Sequence, residues 1–278
     1  MSKAKQAIRD SQFRYKKGLG QHFLYDEALL TELVRLSGVT AEDGVLEIGP
    51  GSGSMTAQLA KACRQVIALE LDEALLPILR VTLAPYENVQ VVQGDVLRAD
   101  LKDIVRPLGE KFCVVANIPY YITSPLLTLL LSGKLPITRL AVMVQKEVAD
   151  KVMAAPGTPE YGMLAVRAQY FCDPFVAMDV PAAAFTPPPK VDSAFVVMPI
   201  RENPPVEVAD EDIFFRMAAA AFLMRRKTML NNLQAAFPIG RQAAAEFMAS
   251  CALDEKVRGE TLGLDDFAKL ANAYVSGK

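Results

Sequence analysis

A chain of 278 residues, 51% hydrophobic and 22% charged, is long enough for one large domain and a smaller one around well-buried cores. No apolar run approaches the ~20 residues of a membrane span, and the N-terminus lacks the apolar stretch of a secretory signal, so the expectation is a cytoplasmic protein with no membrane partner. Thirty Lys and Arg against 32 Asp and Glu give no overall attraction to nucleic acid, and a single histidine with four cysteines that form no CxxC pair argues against zinc and disulfides.

The charge is unevenly spread. Before Gly18, Lys3, Lys5, Arg9, Arg14, Lys16 and Lys17 face only Asp10, so residues 1–20 read as a basic N-terminal tail. Such a tail suits phosphate contacts and equally suits a solvated, disordered end. Residues 26–37 carry apolar positions at helical spacing with Asp26 as N-cap. A regular alternation follows: GVLEI (44–48) reads as a buried strand, then a glycine turn and a helix around MTAQLAKAC. QVIALEL (65–71) is the next strand, followed by a helix through ALLPILRVTL whose start depends on where Pro77 sits.

NVQVVQ (88–93), FCVVAN (112–117) and TRLAVMVQ (138–145) supply three further strands separated by helical segments. Short apolar strands alternating with helices predict a parallel sheet covered on both faces. MLAVRAQYF (163–171) fits helix or strand. FVAMDV (175–180) and SAFVVMPI (193–200) read as two closing strands joined by FTPPPKVD. After Pro204-Pro205 the pattern turns helical and strand-free, which puts a domain boundary near residue 205 and domains at 21–204 and 205–278.

Gly49-Pro50-Gly51-Ser52-Gly53 follows a strand and opens a helix, which places a ligand at the carboxyl end of the first strand. Ser54 stands where a dinucleotide fingerprint needs glycine, and no lysine follows as a Walker loop requires. Glu47, two residues before the turn, suits a cationic, phosphate-free ligand such as a sulfonium or ammonium. Glu70, ending the second strand, is placed to accept both hydroxyls of a ribose. Asp95, after the third, is placed to accept from an adenine amino group. Single glycine turns are often only turns and strand-end acids only caps; three such elements in order favour a ligand.

Asn117-Ile118-Pro119-Tyr120-Tyr121 follows the fourth strand and faces the same crevice. An aromatic amine is a poor nucleophile because its lone pair is delocalised into the ring. An Asn oxygen and a neighbouring carbonyl that accept its two N–H protons would aim that lone pair at a methyl donor. Tyr120 can stack on an extruded base, and Phe185 offers a second face; a half-buried structural tyrosine reads the same way.

These motifs resemble those of the KsgA family of ribosomal RNA adenine dimethyltransferases over nearly the whole chain. The likeness runs from Gly20-Gln21-His22-Phe23-Leu24 through EIGPGSG, ALELD, GDV, NIPYY, QKEVADKV and FTPPPKVDSA to RRKTMLNNL. The resemblance implies an α/β, Rossmann-like class I methyltransferase domain with a mostly parallel seven-stranded sheet, and a small all-helical C-terminal domain. It implies an enzyme that transfers four methyls from S-adenosylmethionine to N6 of two adjacent adenines near the 3′ end of 16S rRNA. The partner would be the small ribosomal subunit or its precursor, the protein a monomer, and no metal would be used.

By motif, His22, Leu24, Gly49, Glu70, Asp95 and Asn117 would bind the cofactor; Asn117, Pro119, Tyr120 and Phe185 would hold the target base. Arg225, Arg226 and Lys227 would meet RNA phosphates from a helical stretch. Bacterial members usually carry Asn where this chain has His22, whose imidazole would donate a hydrogen bond toward the cofactor carboxylate. Large-subunit adenine methyltransferases share the cofactor motifs, and FTPPPKVDSA with the helical domain points away from them. A ribosome-assembly role is compatible with catalysis.

Overall fold

Apolar spacing and capping residues set the elements. The computed structural model describes residues 3–11 and 13–277 apart from the Lys17 side chain; Lys17's place in the basic stretch therefore lies outside the described residues. The chain divides into two compact units, Met1–Ala149 with Asp173–Ile200, and Asp150–Cys172 with Arg201–Lys278.

The first unit opens with α1 (Lys3–Asp10) and α2 (Glu27–Leu36), then β1 (Gly44–Ile48), α3 (Ser54–Ala62), β2 (Gln65–Glu70), α4 (Leu76–Leu83) and β3 (Val89–Gln93). It continues with α5 (Leu101–Val105), β4 (Phe112–Asn117), α6 (Thr123–Leu130) and β5 (Ile137–Gln145). After an excursion into the second unit it closes with β6 (Phe175–Val180) and β7 (Ser193–Pro199). The sheet order is β3-β2-β1-β4-β5-β7-β6, parallel except that β7 runs antiparallel to both its neighbours. Chain order reverses between β1 and β4, so the crevice beyond their carboxyl ends is where an open α/β sheet binds ligands.

Local signals account for most boundaries. The Asp26 carboxylate accepts from the N–H groups of Ala28 and Leu29 and starts α2. Pro77 falls in the first turn of α4, where its missing N–H costs nothing. The basic N-terminal stretch is not merely a solvated end. Its α1 buries Ala4 and Ile8, with Ile8 in a cluster with Leu75, Ile78, Leu79 and Leu83, while Lys3, Lys5 and Arg9 stay exposed. Each fully buried side chain of the Leu or Ile kind contributes roughly 1.5–3 kcal/mol.

The second unit is helical. It contains the second half of α7 (Lys146–Met153), then α8 (Met163–Phe171), α9 (Glu211–Ala221), α10 (Met229–Ala236), α11 (Arg241–Ser250) and α12 (Leu264–Ser276). Residues 150–172, expected within the 21–204 domain, group here instead. The reason is packing: Ala165, Val166 and Tyr170 of α8 join Phe214, Met217 and Phe267 in one core. Among the described residues no helix is long and apolar enough to cross a membrane.

Candidate active site

The carboxyl ends of β1, β2, β3 and β4 open onto one cavity of about 380 Å3, within the range of small-molecule sites. His22, Gly49, Glu70, Asp95, Asn117, Pro119 and Tyr120 all line it. The sequence separates these residues widely; the parallel sheet brings them together because every β–α turn emerges at the same edge.

The turn after β1 depends on glycine for two reasons at Gly51. Its φ is +58°, and a Cβ there would lie 2.9 Å from the Phe23 ring. The Gly51 N–H donates to Glu70 Oε2 at 3.1 Å, and the Asp72 N–H donates to Glu70 Oε1 at 2.8 Å. The Glu70 carboxylate is thus aimed by backbone donors, and each oxygen retains capacity to accept a further hydrogen bond. Burial raises its pKa above the ordinary carboxylate range, against the lowering effect of those donors. Asp95 is half-buried; its side chain accepts from the Leu97 N–H at 3.0 Å and lies 3.5 Å from Arg98 Nε.

Glu47 does not face the cavity. The two-residue period of β1 turns it toward the side of Val45, where it borders a separate small pocket beneath the glycine turn. It is buried, its Oε2 has no hydrogen-bond partner among the described residues, and burial pushes its pKa from 4.5 to about 8. A folded-state pKa above the unfolded one means that the fold binds the extra proton, so stability falls as pH rises from about 4.5 to about 8. Glu47→Gln is therefore expected to be more stable than wild type at pH 8, by on the order of a few kcal/mol. The gap should close near pH 4.5, as read by thermal melts across pH; a constant gap would contradict the assignment.

At the end of β4 the Asn117 amide is oriented by one contact: Nδ2 donates to the backbone oxygen of His22 at 2.9 Å. Asn117 lines the cavity, and Oδ1 is the acceptor atom of its amide. Tyr120 is anchored through its hydroxyl, 2.8 Å from Ser193 Oγ, and burial raises its pKa. Its ring stacks on His22, with centroids 5.6 Å apart and planes 26° apart.

Three expectations change. The His22 Nδ1 lies 2.7 Å from the Pro187 carbonyl oxygen, which can only accept, so Nδ1 carries the proton. In the neutral ring Nε2 is then an acceptor and does not donate toward a carboxylate. Phe185 and Leu24 do not line the cavity: they face each other across a two-residue antiparallel ladder, both buried in the core beneath the sheet. Phe185 therefore presents no face to a base in this conformation. Sequence reasoning missed Gln21 and Tyr121, which line the cavity, and Asp72 beside it. The only signal was their place within GQHFL, NIPYY and ALELD.

In the second unit, Arg225, Arg226 and Lys227 occupy a turn between α9 and α10 rather than a helix. Asn232 holds that turn, donating from Nδ2 to the Ala221 carbonyl and accepting the Met224 N–H at Oδ1. Thr228 caps α10 immediately after it. Arg225 has partners in its own unit: Nη2 donates to the carbonyls of Pro159 and Tyr161 at 2.8 and 2.9 Å, and Nε lies 3.7 Å from Glu260. All three residues are exposed, and Arg225 differs in that its guanidinium is held by these contacts.

The family model for ribosomal RNA adenine dimethylase matches residues 12–274. The ribosomal RNA small subunit methyltransferase A of Bacillus mycoides is 44% identical, covering 100% of this chain and 97% of that protein, and the Bacillus anthracis protein of the same name matches to the same extent. Among solved structures, a dimethyladenosine transferase from Plasmodium falciparum superposes with a TM-score of 0.75 at 26% identity, covering 90% of this chain and 96% of that one. The 23S rRNA methyltransferase ErmE superposes with a TM-score of 0.68 at 27% identity, covering 90% and 98%.

Proposed function

Because the chain belongs to the ribosomal RNA adenine dimethylase family, we propose that it methylates N6 of two adjacent adenines near the 3′ end of 16S rRNA, in the small subunit or its precursor, with S-adenosylmethionine as donor. The observation that carries the reading is the Asn117 amide, tied at Nδ2 to the His22 carbonyl in a residue that lines a cavity of about 380 Å3 beside Glu70 and Asp95. Identity of 44% over the full chain to proteins named for the small subunit, against 27% to the 23S enzyme, supports the small-subunit substrate.

The donor, when bound, supplies an electrophilic methyl group on a sulfonium. The cavity suits it: the Glu70 carboxylate is positioned to accept from ribose hydroxyls, Asp95 from an adenine amino group, and the glycine turn lets backbone approach closely. Asn117 Oδ1 accepts one N–H of the target amine and holds the nitrogen with its lone pair directed at the methyl carbon. The Tyr120 ring, fixed by Ser193, flanks the base. With the donor bound, the N–C bond would form as the donor's C–S bond breaks, and the cationic amine would be acidic enough to release its proton to solvent. Positioning supplies the rate; Tyr120, with a raised pKa, is not needed as a base.

The test is transfer of labelled methyl groups to purified ribosomal subunits that lack the modification. Label is expected in small-subunit RNA near its 3′ end, and appearance in large-subunit RNA instead would overturn the substrate assignment. Arg226 and Lys227 are assigned to RNA phosphates, whereas Arg225 mainly holds its own turn. The double substitution Arg226→Glu with Lys227→Glu should weaken RNA binding and flatten its log–log salt dependence by about 2. An unchanged slope removes the assignment.

A further inference from the structure

We propose that Asp72 is a positioning residue that holds the segment Lys16–His22 closed over the cofactor cavity, an inference that rests on the cofactor reading above. Asp72 lies two residues beyond Glu70 and does not itself line the cavity. Its side chain is only 2% exposed, and a buried carboxylate is costly unless well paired. Its partners come from the N-terminal segment. Lys16 Nζ donates to Oδ1 at 2.7 Å, and Gln21 Nε2 donates to Oδ2 at 2.8 Å. The Gln21 Oε1 in turn accepts the Lys16 N–H at 2.7 Å. Carboxylate, amide and ammonium therefore close a ring that pins both ends of residues 16–21. Burial works to raise the Asp72 pKa, yet these hydrogen bonds hold it below the ordinary range.

The pinned segment is the wall of the site. Leu19, Gly20, Gln21 and His22 line the cavity, and a Cβ on Gly20 would sit 3.6 Å from both Tyr120 N and the Tyr121 ring. At its far end the His22 carbonyl accepts from Asn117 and the His22 ring donates to Pro187. One strap therefore joins the loop that holds the cofactor ribose to the loop that orients the amine. Releasing it at Asp72 would loosen the cofactor and free the Asn117 amide.

Asp72 also accepts the Ala74 N–H at 3.1 Å as a local cap, so a purely structural role must be separated. Lys16→Met and Gln21→Ala leave that cap intact and test the strap even if Asp72→Asn fails to fold. On the full chain, calorimetry with S-adenosylhomocysteine should show each of Lys16→Met and Asp72→Asn weakening binding about tenfold, and their combination little more than either alone, because both open one latch. Lys16→Arg should retain wild-type affinity. In the ligand-free protein, amide exchange over residues 16–23 should rise about tenfold or more in Lys16→Met with little change in Tm.

Losses that multiply in the double variant, or exchange over residues 16–23 that does not change, would overturn the latch. If wild type takes up no S-adenosylhomocysteine, the cofactor reading fails, and the exchange measurement still decides the latch.

Discussion

Replacing Asn117 with alanine is expected to lower kcat for methyl transfer by about a hundredfold or more, with S-adenosylhomocysteine affinity changed far less. Adenine N6 reacts only when its lone pair is turned out of conjugation toward the methyl carbon, and the Asn117 Oδ1 is the group placed to accept the proton that sets that orientation. The amide cannot flip without placing its oxygen against the His22 carbonyl, now 2.9 Å from Nδ2. Asn117→Asp is expected to be nearly as damaging: a carboxylate offers acceptors only, so it repels the His22 carbonyl and gives up the contact that aims it. Single-turnover assays separate the chemical step from binding. A kcat for Asn117→Ala within tenfold of wild type would remove the amine-orienting role.

Glu70→Ala is expected to weaken cofactor binding by about a hundredfold or more and to lower Tm as well. Two effects combine. The carboxylate is lost as an acceptor for the ribose hydroxyls, at roughly 1.5–3 kcal/mol for a hydrogen bond to a charged group. The buried N–H groups of Gly51 and Asp72 lose their partner, and each unsatisfied donor costs about 1–3 kcal/mol. Glu70→Gln keeps the shape but points an NH2 group at one of those donors, so it should fall between wild type and alanine.

Acidification should mimic the loss. Burial raises the Glu70 pKa, and binding needs the ionised form, so affinity falls as pH drops through a value above the ordinary carboxylate range. Calorimetry of S-adenosylhomocysteine against pH reads this directly. An affinity that is flat down to the ordinary carboxylate pKa would count against Glu70 as the ribose acceptor.

Much of the site was legible without coordinates. The segments 44–48 and 112–117 match β1 and β4 residue for residue, because buried parallel strands leave short uninterrupted apolar runs; 175–180 matches β6, an antiparallel edge strand that is largely exposed. The glycine turn, the strand-end acids and NIPYY were legible because each is a local feature attached to a strand end, and strand ends share one edge of the sheet. Less legible were features that depend on which face a side chain takes. Glu47 stands two residues from the glycine turn yet points into the core, and Phe185 opens the Pro-rich segment FTPPPKVD yet is packed away beneath the sheet. The stretch 163–171 is apolar around much of its circumference, so only its packing beside Phe214 and Phe215 made it α8 and drew it into the helical unit.

What the amino-acid order determined by itself was most of the strands and helices, α1 and α8 excepted, and the glycines that a tight turn with positive φ demands, since these follow from interactions among residues a few positions apart. Tertiary structure alone decided the order β3-β2-β1-β4-β5-β7-β6, the proton on His22 Nδ1, the orientation of the Asn117 amide and the ring that closes on Asp72. Those contacts join residues 51 to 165 positions apart, and no local pattern carries information about which distant donor a carboxylate or carbonyl will meet until the sheet has brought them within hydrogen-bond reach.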